Sequence, residues 1–249
     1  MDSDDKLTPD TLSSVYDFFI EHDKEWICFC SIFYFDKKNE PHRLNYKYAS
    51  DKAQVIDLTT HYSYVQMSSA SAFFKREALN DHTFDTSLRY AEDSKAIMEL
   101  LLENPQYGIV PQGRYLYRAR TSMNSALNGS KSHREWYIDC LKNYIFWALD
   151  EAKSRFGAIP DYVQYNVMYD LQGRFKVDEI PETVLTLMKN YFLKMLFDAV
   201  FQIDDHIILE QKNLSMELKD YIMSIKKHRI PELCSLTTRA KMPGFNILI

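Results

Sequence analysis

Residues 12–22, LSSVYDFFIEH, repeat their apolar positions at helical spacing, with Leu12, Val15, Phe18 and Phe19 on one side. Thr8-Pro9-Asp10 supplies the start: a hydroxyl N-cap, Pro at the first helical position, then an acid facing the helix dipole. The pattern then changes period. EWICFCSIFYFD is short, aromatic and β-branched, which predicts a strand; KKNEP is its turn and HRLNYKYA a returning strand. AQVIDL predicts another short strand. YVQMSSASAFFKREAL reads as a small-residue strand or turn running into an amphipathic segment. A helix from about Ala91 to Glu103 is ended by Asn104-Pro105, and YGIVPQGRYLYRAR predicts a strand pair around Pro111-Gln112-Gly113.

Beyond the polar stretch NSALNGSKS (124–132), only helical spacing remains. One helical segment stops at Gly157, one follows Pro160, one opens at Pro181, and LSMELKDYIMSIKKH closes the set. The pattern thus predicts α/β followed by all-α: a mixed sheet with flanking helices over residues 1–127, then a helical bundle over 128–249.

Composition narrows the chemistry. The 249 residues include only 6 Gly, and neither G-x-G-x-x-G nor G-x-x-x-x-G-K-[ST] occurs, so a Gly-rich phosphate loop is excluded within this chain. A formal charge of −5 argues against a nucleic-acid partner. Cys28, Cys30, Cys140 and Cys234 have no metal-ligand spacing and read as reduced core thiols, in keeping with a cytoplasmic home. No apolar run approaches the roughly 18 residues of a membrane span.

Three groups of residues have candidate chemistry. Asp2, Asp4 and Asp5 crowd the opening MDSDDKL; closely spaced carboxylates suit Mg²⁺ or Mn²⁺, and equally a solvated acidic tip before a helix. Glu92 and Asp93 fall in the first turn of a helix, where a carboxylate is either helix-start decoration or a base held on a rigid element. Arg118 and Arg120, two apart, face one side of a strand end, with Ser122 and Ser125 beyond. A guanidinium fork matches phosphate oxygens, although a surface strand carries such arginines too. His206 among acids reads as a solvated helix junction rather than a ligand. Ser68-Ser69-Ala70-Ser71 lacks the G-x-S-x-G elbow of a hydrolase.

Taken in order, DSDDKLTPDTL, SSASAFFKREAL, FDTSLRYAED and YLYRARTSMNSA resemble the family 2 glycosyltransferases of GT-A fold, which serve bacterial capsule, teichoic-acid and polysaccharide assembly. The resemblance covers residues 1 to about 127; the helical half is a looser match to extensions carried by some members. It implies the C-terminal part of a GT-A mixed sheet, a nucleotide-diphosphate sugar as donor, and a polysaccharide or teichoic-acid acceptor. Transfer would be inverting. The D-x-D metal element maps onto Asp2, Asp4 and Asp5, with Mn²⁺ or Mg²⁺ as cofactor, and Glu92 and Asp93 onto the catalytic E-D pair, with Asp93 as base. Arg118, Arg120 and Ser125 fall where the family contacts the donor diphosphate, and SSASAFF where it lines the donor sugar and acceptor. A cytoplasmic location, peripheral to the inner face of the membrane, follows from the same likeness.

In intact members a βαβ unit of roughly 80–100 residues precedes the D-x-D element and binds base and ribose. Here Met1 stands where that unit would be ending, so the expectation is a chain lacking the donor-binding half, with an uncovered sheet edge and self-association. The alternative is a non-catalytic binding module in which Trp136, Tyr137, Tyr144 and Trp147 of the helical half stack on sugars, unless they are core.

Overall fold

The computed structural model describes residues 3–79, 84–119, 129–177 and 180–228. They divide into two compact units. The first runs up to Thr86 and resumes at Glu92; the second takes Ser87–Ala91 and the helical half.

The first unit is a five-stranded mixed sheet flanked by helices. Its strands are β1 (Lys6–Leu7), β2 (Ile27–Asp36), β3 (Gln54–Asp57), β4 (Ala72–Phe74) and β5 (Gln106–Ala119), in the order β1-β5-β2-β4 with β3 also on β5. β2 and β5 run parallel; the other pairs are antiparallel. Such an inner parallel pair needs burial on both faces, and Ile27 through Ser31 are buried without alternation. The thiols of Cys28 and Cys30 are free and lie in this core, where burial holds them well above the ordinary thiol range, Cys30 at about 12.

Four expectations are corrected. Where a strand pair was expected around Pro111-Gln112-Gly113, Gln106–Ala119 is one 14-residue strand. Pro111 has no N–H to give a ladder, and the register slips there, from Cys30 opposite Val110 to Ser31 opposite Arg114. Pro111–Gly113 form a bulge rather than a turn because the uninterrupted β2 recaptures β5 beyond it; the Ser31 hydroxyl donates to the Gly113 carbonyl across the gap (3.3 Å).

HRLNYKYA is likewise not a returning strand. One bridge, Phe33 to Pro41, gives way to a 3₁₀ turn over Asn45–Tyr48. The Asn45 side-chain amide takes the partner strand's place, accepting from the Ile32 N–H (3.3 Å) and donating to the Ile32 carbonyl (2.9 Å). The edge of β2 is thereby closed by this side chain together with two backbone bonds, His42 N–H to the Ile32 carbonyl (2.9 Å) and Tyr34 N–H to the Glu40 carbonyl (2.9 Å), instead of a full strand.

The first helix, α1 (Thr11–Glu21), has Asp10 rather than Thr8 as its N-cap residue. The Thr8 hydroxyl is drawn to the bulge instead, accepting from the Arg114 N–H (3.1 Å) and sharing a hydrogen bond with the Thr11 hydroxyl (2.9 Å). Thr11, Val15 and Phe18 form the buried face, while Leu12, expected to join it, is 63% exposed. Phe18 settles directly over Gly108, where a Cβ would come within 2.1 Å of its ring. Helix and sheet meet only because that position lacks a side chain.

In the second unit, helix α3 (Arg134–Tyr137) leads through a π-helical stretch, Leu141–Phe146, into α4 (Trp147–Phe156). Gly157 ends α4 in the left-handed conformation (φ 75°), the turn a Gly C-terminal cap supplies. Then come α5 (Asp161–Phe175), α6 (Glu182–Phe201), α7 (Asp205–Leu209) and α8 (Met216–His228), with Pro160 and Pro181 as the N-cap residues of α5 and α6. Tyr137 and Tyr144 are wholly buried, and Trp136 carries the Arg174 guanidinium at 4.2 Å from its ring centroid. These aromatics serve the packing of the unit. His206 lies on α7 beside Asp161 (3.2 Å). Among the described residues, no helix is long and apolar enough to cross a membrane.

Candidate functional site

The E-D pair opens the helix α2 (Glu92–Glu103), with both acids in its first turn. The residue just before them, Ala91, has φ 67°, a left-handed value that costs a non-glycine residue about 1 kcal/mol or more. Asp93 Oδ2 accepts from the Ser69 N–H (3.1 Å), and Oδ1 from the Ser94 N–H (2.8 Å). The Ser94 hydroxyl donates in turn to the Met67 carbonyl (3.2 Å). The helix start is thus tied to the S-S-A-S segment, which sequence reading placed near the acceptor without foreseeing this contact.

Burial raises the Asp93 pKa above the ordinary carboxylate range. The Ser69 and Ser94 amides pull it down, and the neighbouring Glu92 charge pushes it up. Each Asp93 oxygen retains lone-pair capacity beyond the backbone amide it accepts, as a carboxylate has about four acceptor positions. A carboxylate with a raised pKa, anchored on a helix start, is equipped to take a proton from a hydroxyl.

The acids of the opening meet a different fate. Asp5 is buried, 7% exposed, just ahead of β1. Its Oδ2 accepts from the Tyr115 hydroxyl (2.6 Å) and its Oδ1 from the Arg118 N–H (2.8 Å). The carboxylate therefore fastens the chain ahead of β1 to β5, where Lys6 pairs with Leu116 and Leu7 with Tyr115. Asp4 is partly exposed beside it, and Asp2 lies outside the described residues. Among the described residues, no three His, Cys, Asp or Glu side chains come together as a metal-binding group.

Arg118 stands at the end of β5, and its Nε donates to Asp36 Oδ2 (2.8 Å), the last residue of β2. That hydrogen bond, with the Asp36 charge and then the Asp4 charge, raises the guanidinium pKa. Asp36 adopts φ 80°, the other described non-glycine residue with positive φ besides Ala91. Asp4, Asp5, Asp36 and Arg118 thus form one charged cluster at the ends of β2 and β5. Arg120 and Ser125 lie outside the described residues. Asp36 escaped sequence reading because a strand-terminal acid before a lysine-rich turn looks like any exposed loop residue.

A second residue missed in the sequence is Lys47, 3% exposed, on the 3₁₀ turn. Its Nζ donates to the Val65 carbonyl (2.6 Å) and to Gln66 Oε1, and burial lowers its pKa to about 7. The sole sequence signal was its place between Tyr46 and Tyr48, and a returning strand explained that equally well.

No protein-family model matches the chain. It is similar to two teichoic-acid proteins of Bacillus subtilis strain 168. Against the minor teichoic acid biosynthesis protein GgaB, 29% of 228 aligned residues are identical, covering 91% of this chain and 25% of GgaB. Against the minor teichoic acid biosynthesis protein GgaA, identity is 24% over 261 aligned positions, covering 99% of this chain and 58% of GgaA. The chain therefore spans about a quarter of one relative and a little over half of the other.

Proposed function

We propose that this chain carries the acceptor-side and catalytic portion of a family 2, GT-A-type glycosyltransferase of teichoic-acid assembly. It would transfer a sugar from a nucleotide diphosphate to an acceptor hydroxyl with inversion. The observation that carries the reading is the Asp93 carboxylate: anchored at a helix start, tied to Ser69, and raised in pKa by burial. Likeness to two proteins named for teichoic-acid biosynthesis supports the acceptor class.

In this reading Asp93 takes the proton of the acceptor hydroxyl. The oxygen attacks the anomeric carbon from the face opposite the diphosphate, the bond to the diphosphate breaks, and that group departs with the electron pair. One in-line displacement inverts the centre. Arg118, with Arg120 and Ser125 beyond it in the chain, would face the departing diphosphate; an Arg fork matches its oxygens. Arg118, paired with Asp36 at 2.8 Å, must then exchange that partner for phosphate.

The described acids by themselves do not fit a divalent-cation site: no three His, Cys, Asp or Glu side chains among the described residues come together, and Asp5 is buried against Tyr115 and Arg118. Among the described residues the metal part of the reading therefore rests on Asp4 alone, Asp2 lying outside them, while Asp5 fastens the chain ahead of β1 to β5. A cation held there would screen the diphosphate charge.

Calorimetric titration of UDP in the presence of Mn²⁺, then of EDTA, tests the donor side, with CDP and GDP as comparisons. Metal-dependent heat is the expected result. Failure of a folded sample to bind any of the three, with or without Mn²⁺, overturns the assignment of a donor site to these residues.

A further inference from the structure

Residues 63–69 join β3's connection to the S-S-A-S turn, and most of the segment lies outside the sheet ladder and the helices. Its backbone still has to be satisfied where it is buried. Side chains from elsewhere do this one residue after another. The Tyr46 hydroxyl donates to the Ser63 carbonyl, the Tyr107 hydroxyl to the Tyr64 carbonyl (2.9 Å), and Lys47 Nζ to the Val65 carbonyl (2.6 Å). Lys47 also grips the Gln66 side chain, whose Nε2 donates onward to the Ser68 carbonyl (3.3 Å). The next backbone group in line, the Ser69 N–H, is the one that binds Asp93.

We propose that Lys47 is a positioning residue for Asp93: through Val65, Gln66 and Ser68 it holds the Ser69 amide against the carboxylate. The inference rests on reading Asp93 as the base for its catalytic meaning, but the placement itself can be measured without any transfer reaction. Two features of Lys47 support it. A lysine buried to 3% exposure is costly to keep, and its hydrogen-bond partners, a backbone carbonyl and a side-chain amide oxygen, carry no charge to offset that cost. Its surroundings are the Tyr107 ring at 5.4 Å and the Tyr48 ring at 5.8 Å, so packing alone would be served by an apolar chain. What an apolar chain would lose is the pair of donors to the segment. An amine with a pKa lowered to about 7 has a large neutral fraction at neutral pH, and the neutral form has two N–H donors for its two acceptors.

The test is Lys47→Met, which keeps the length and apolar contacts of the side chain and removes both donors. Side-chain carboxyl ¹³C NMR follows the titration of Asp93, assigned with Asp93→Asn, alongside hydrogen exchange of the Ser69 amide. Glu92, whose charge acts on Asp93 from the same helix turn, is followed in the same spectra as the control for a general charge effect. In Lys47→Met the Asp93 midpoint should move to higher pH, because an amide that lowers it has withdrawn, and Ser69 exchange should accelerate roughly five- to tenfold. Gln66→Met, which leaves the bond to the Val65 carbonyl in place, should shift both readouts in the same direction by less, and it serves where Lys47→Met fails to fold. An unmoved Asp93 midpoint in either folded variant overturns the inference, even if its melting temperature falls. Loss of the base assignment would look different: full turnover by Asp93→Asn, whatever Lys47 does.

Discussion

The two acidic pairs of the first unit, Asp4-Asp5 and Glu92-Asp93, look alike in sequence and are used in opposite ways. Asp5 faces inward and gives an oxygen each to the Tyr115 hydroxyl and the Arg118 N–H, so its charge holds two strands together. Asp93 is also partly withdrawn from water, but its partners are backbone amides at a helix start and a turn, and burial outweighs them to raise its pKa. A carboxylate whose proton affinity is raised can accept a proton; one committed to fixed donors serves as a fastener. Carboxylate chemistry is set by surroundings, and two adjacent acids in a sequence say little about which surroundings they will find.

Substitutions at the two acids should separate these roles. The largest expected effect is on transfer: Asp93→Asn should lower turnover by about 10²–10⁴-fold, the usual contribution of a general base. The far-ultraviolet circular dichroism should be unchanged. Turnover within a few-fold of the native protein would remove Asp93 from the chemistry. Asp5→Ala should act on stability instead, by about 3 kcal/mol in urea unfolding. It breaks charge-assisted hydrogen bonds and leaves the Tyr115 hydroxyl buried without them. A change in turnover with no loss of stability would return Asp5 to the functional side of the comparison.

Dependence on pH sharpens it further, and buried Lys47 supplies the opposite sign. Because the folded protein raises the Asp93 pKa, this group's contribution to stability is full below the unfolded carboxylate range and is lost as pH rises through the folded value. Transfer, which needs the ionised form, should rise over that same interval. For Lys47 the folded pKa is lowered to about 7, so unfolding takes up a proton above it. Stability should therefore increase as pH rises from about 7 toward the ordinary lysine range near 10.4, and Lys47→Met should flatten that slope in urea titrations. A native protein with no such slope would mean that Lys47 is charged in place.

The smallest expected effect is at the join before the E-D pair. Ala91→Gly removes the side chain that makes φ 67° unfavourable and should stabilise the protein by roughly 0.5–1 kcal/mol, less the extra freedom Gly brings to the unfolded chain. A stabilised protein with reduced turnover would tie the strain at Ala91 to the setting of Asp93.

Much of the layout was legible because it rests on local rules. The apolar run of β2, the helical spacing of α1 and α2, and the prolines and glycine bounding the later helices fix element type with little help from elsewhere. The misreadings all involve a distant partner. Whether Pro111–Gly113 turns or bulges depends on β2 continuing alongside, and whether HRLNYKYA pairs as a strand depends on Asn45 reaching the edge of β2 first. Leu12 fits the apolar stripe of α1 in sequence, yet the sheet contact buries Thr11, Val15 and Phe18, with Phe18 seated over Gly108 and Phe19 packed part-buried beside them, and leaves Leu12 exposed.

The same division runs through the candidate site. By itself the sequence determined that the first half mixes strands and helices, that Glu92 and Asp93 start a helix, and that Arg118 lies near a strand end, because periodicity and capping act over a few residues. Only the tertiary structure decided that Asp5 is a fastener, that Asp36 holds Arg118, and that Lys47 is buried on the segment leading to Ser69. Those outcomes depend on which side chain removes which charge from water, between residues far apart in the chain; Asp5 and Arg118 are separated by 113 positions. Local pattern carries no information about that separation, whereas desolvation and hydrogen bonding act wherever the fold brings the groups together.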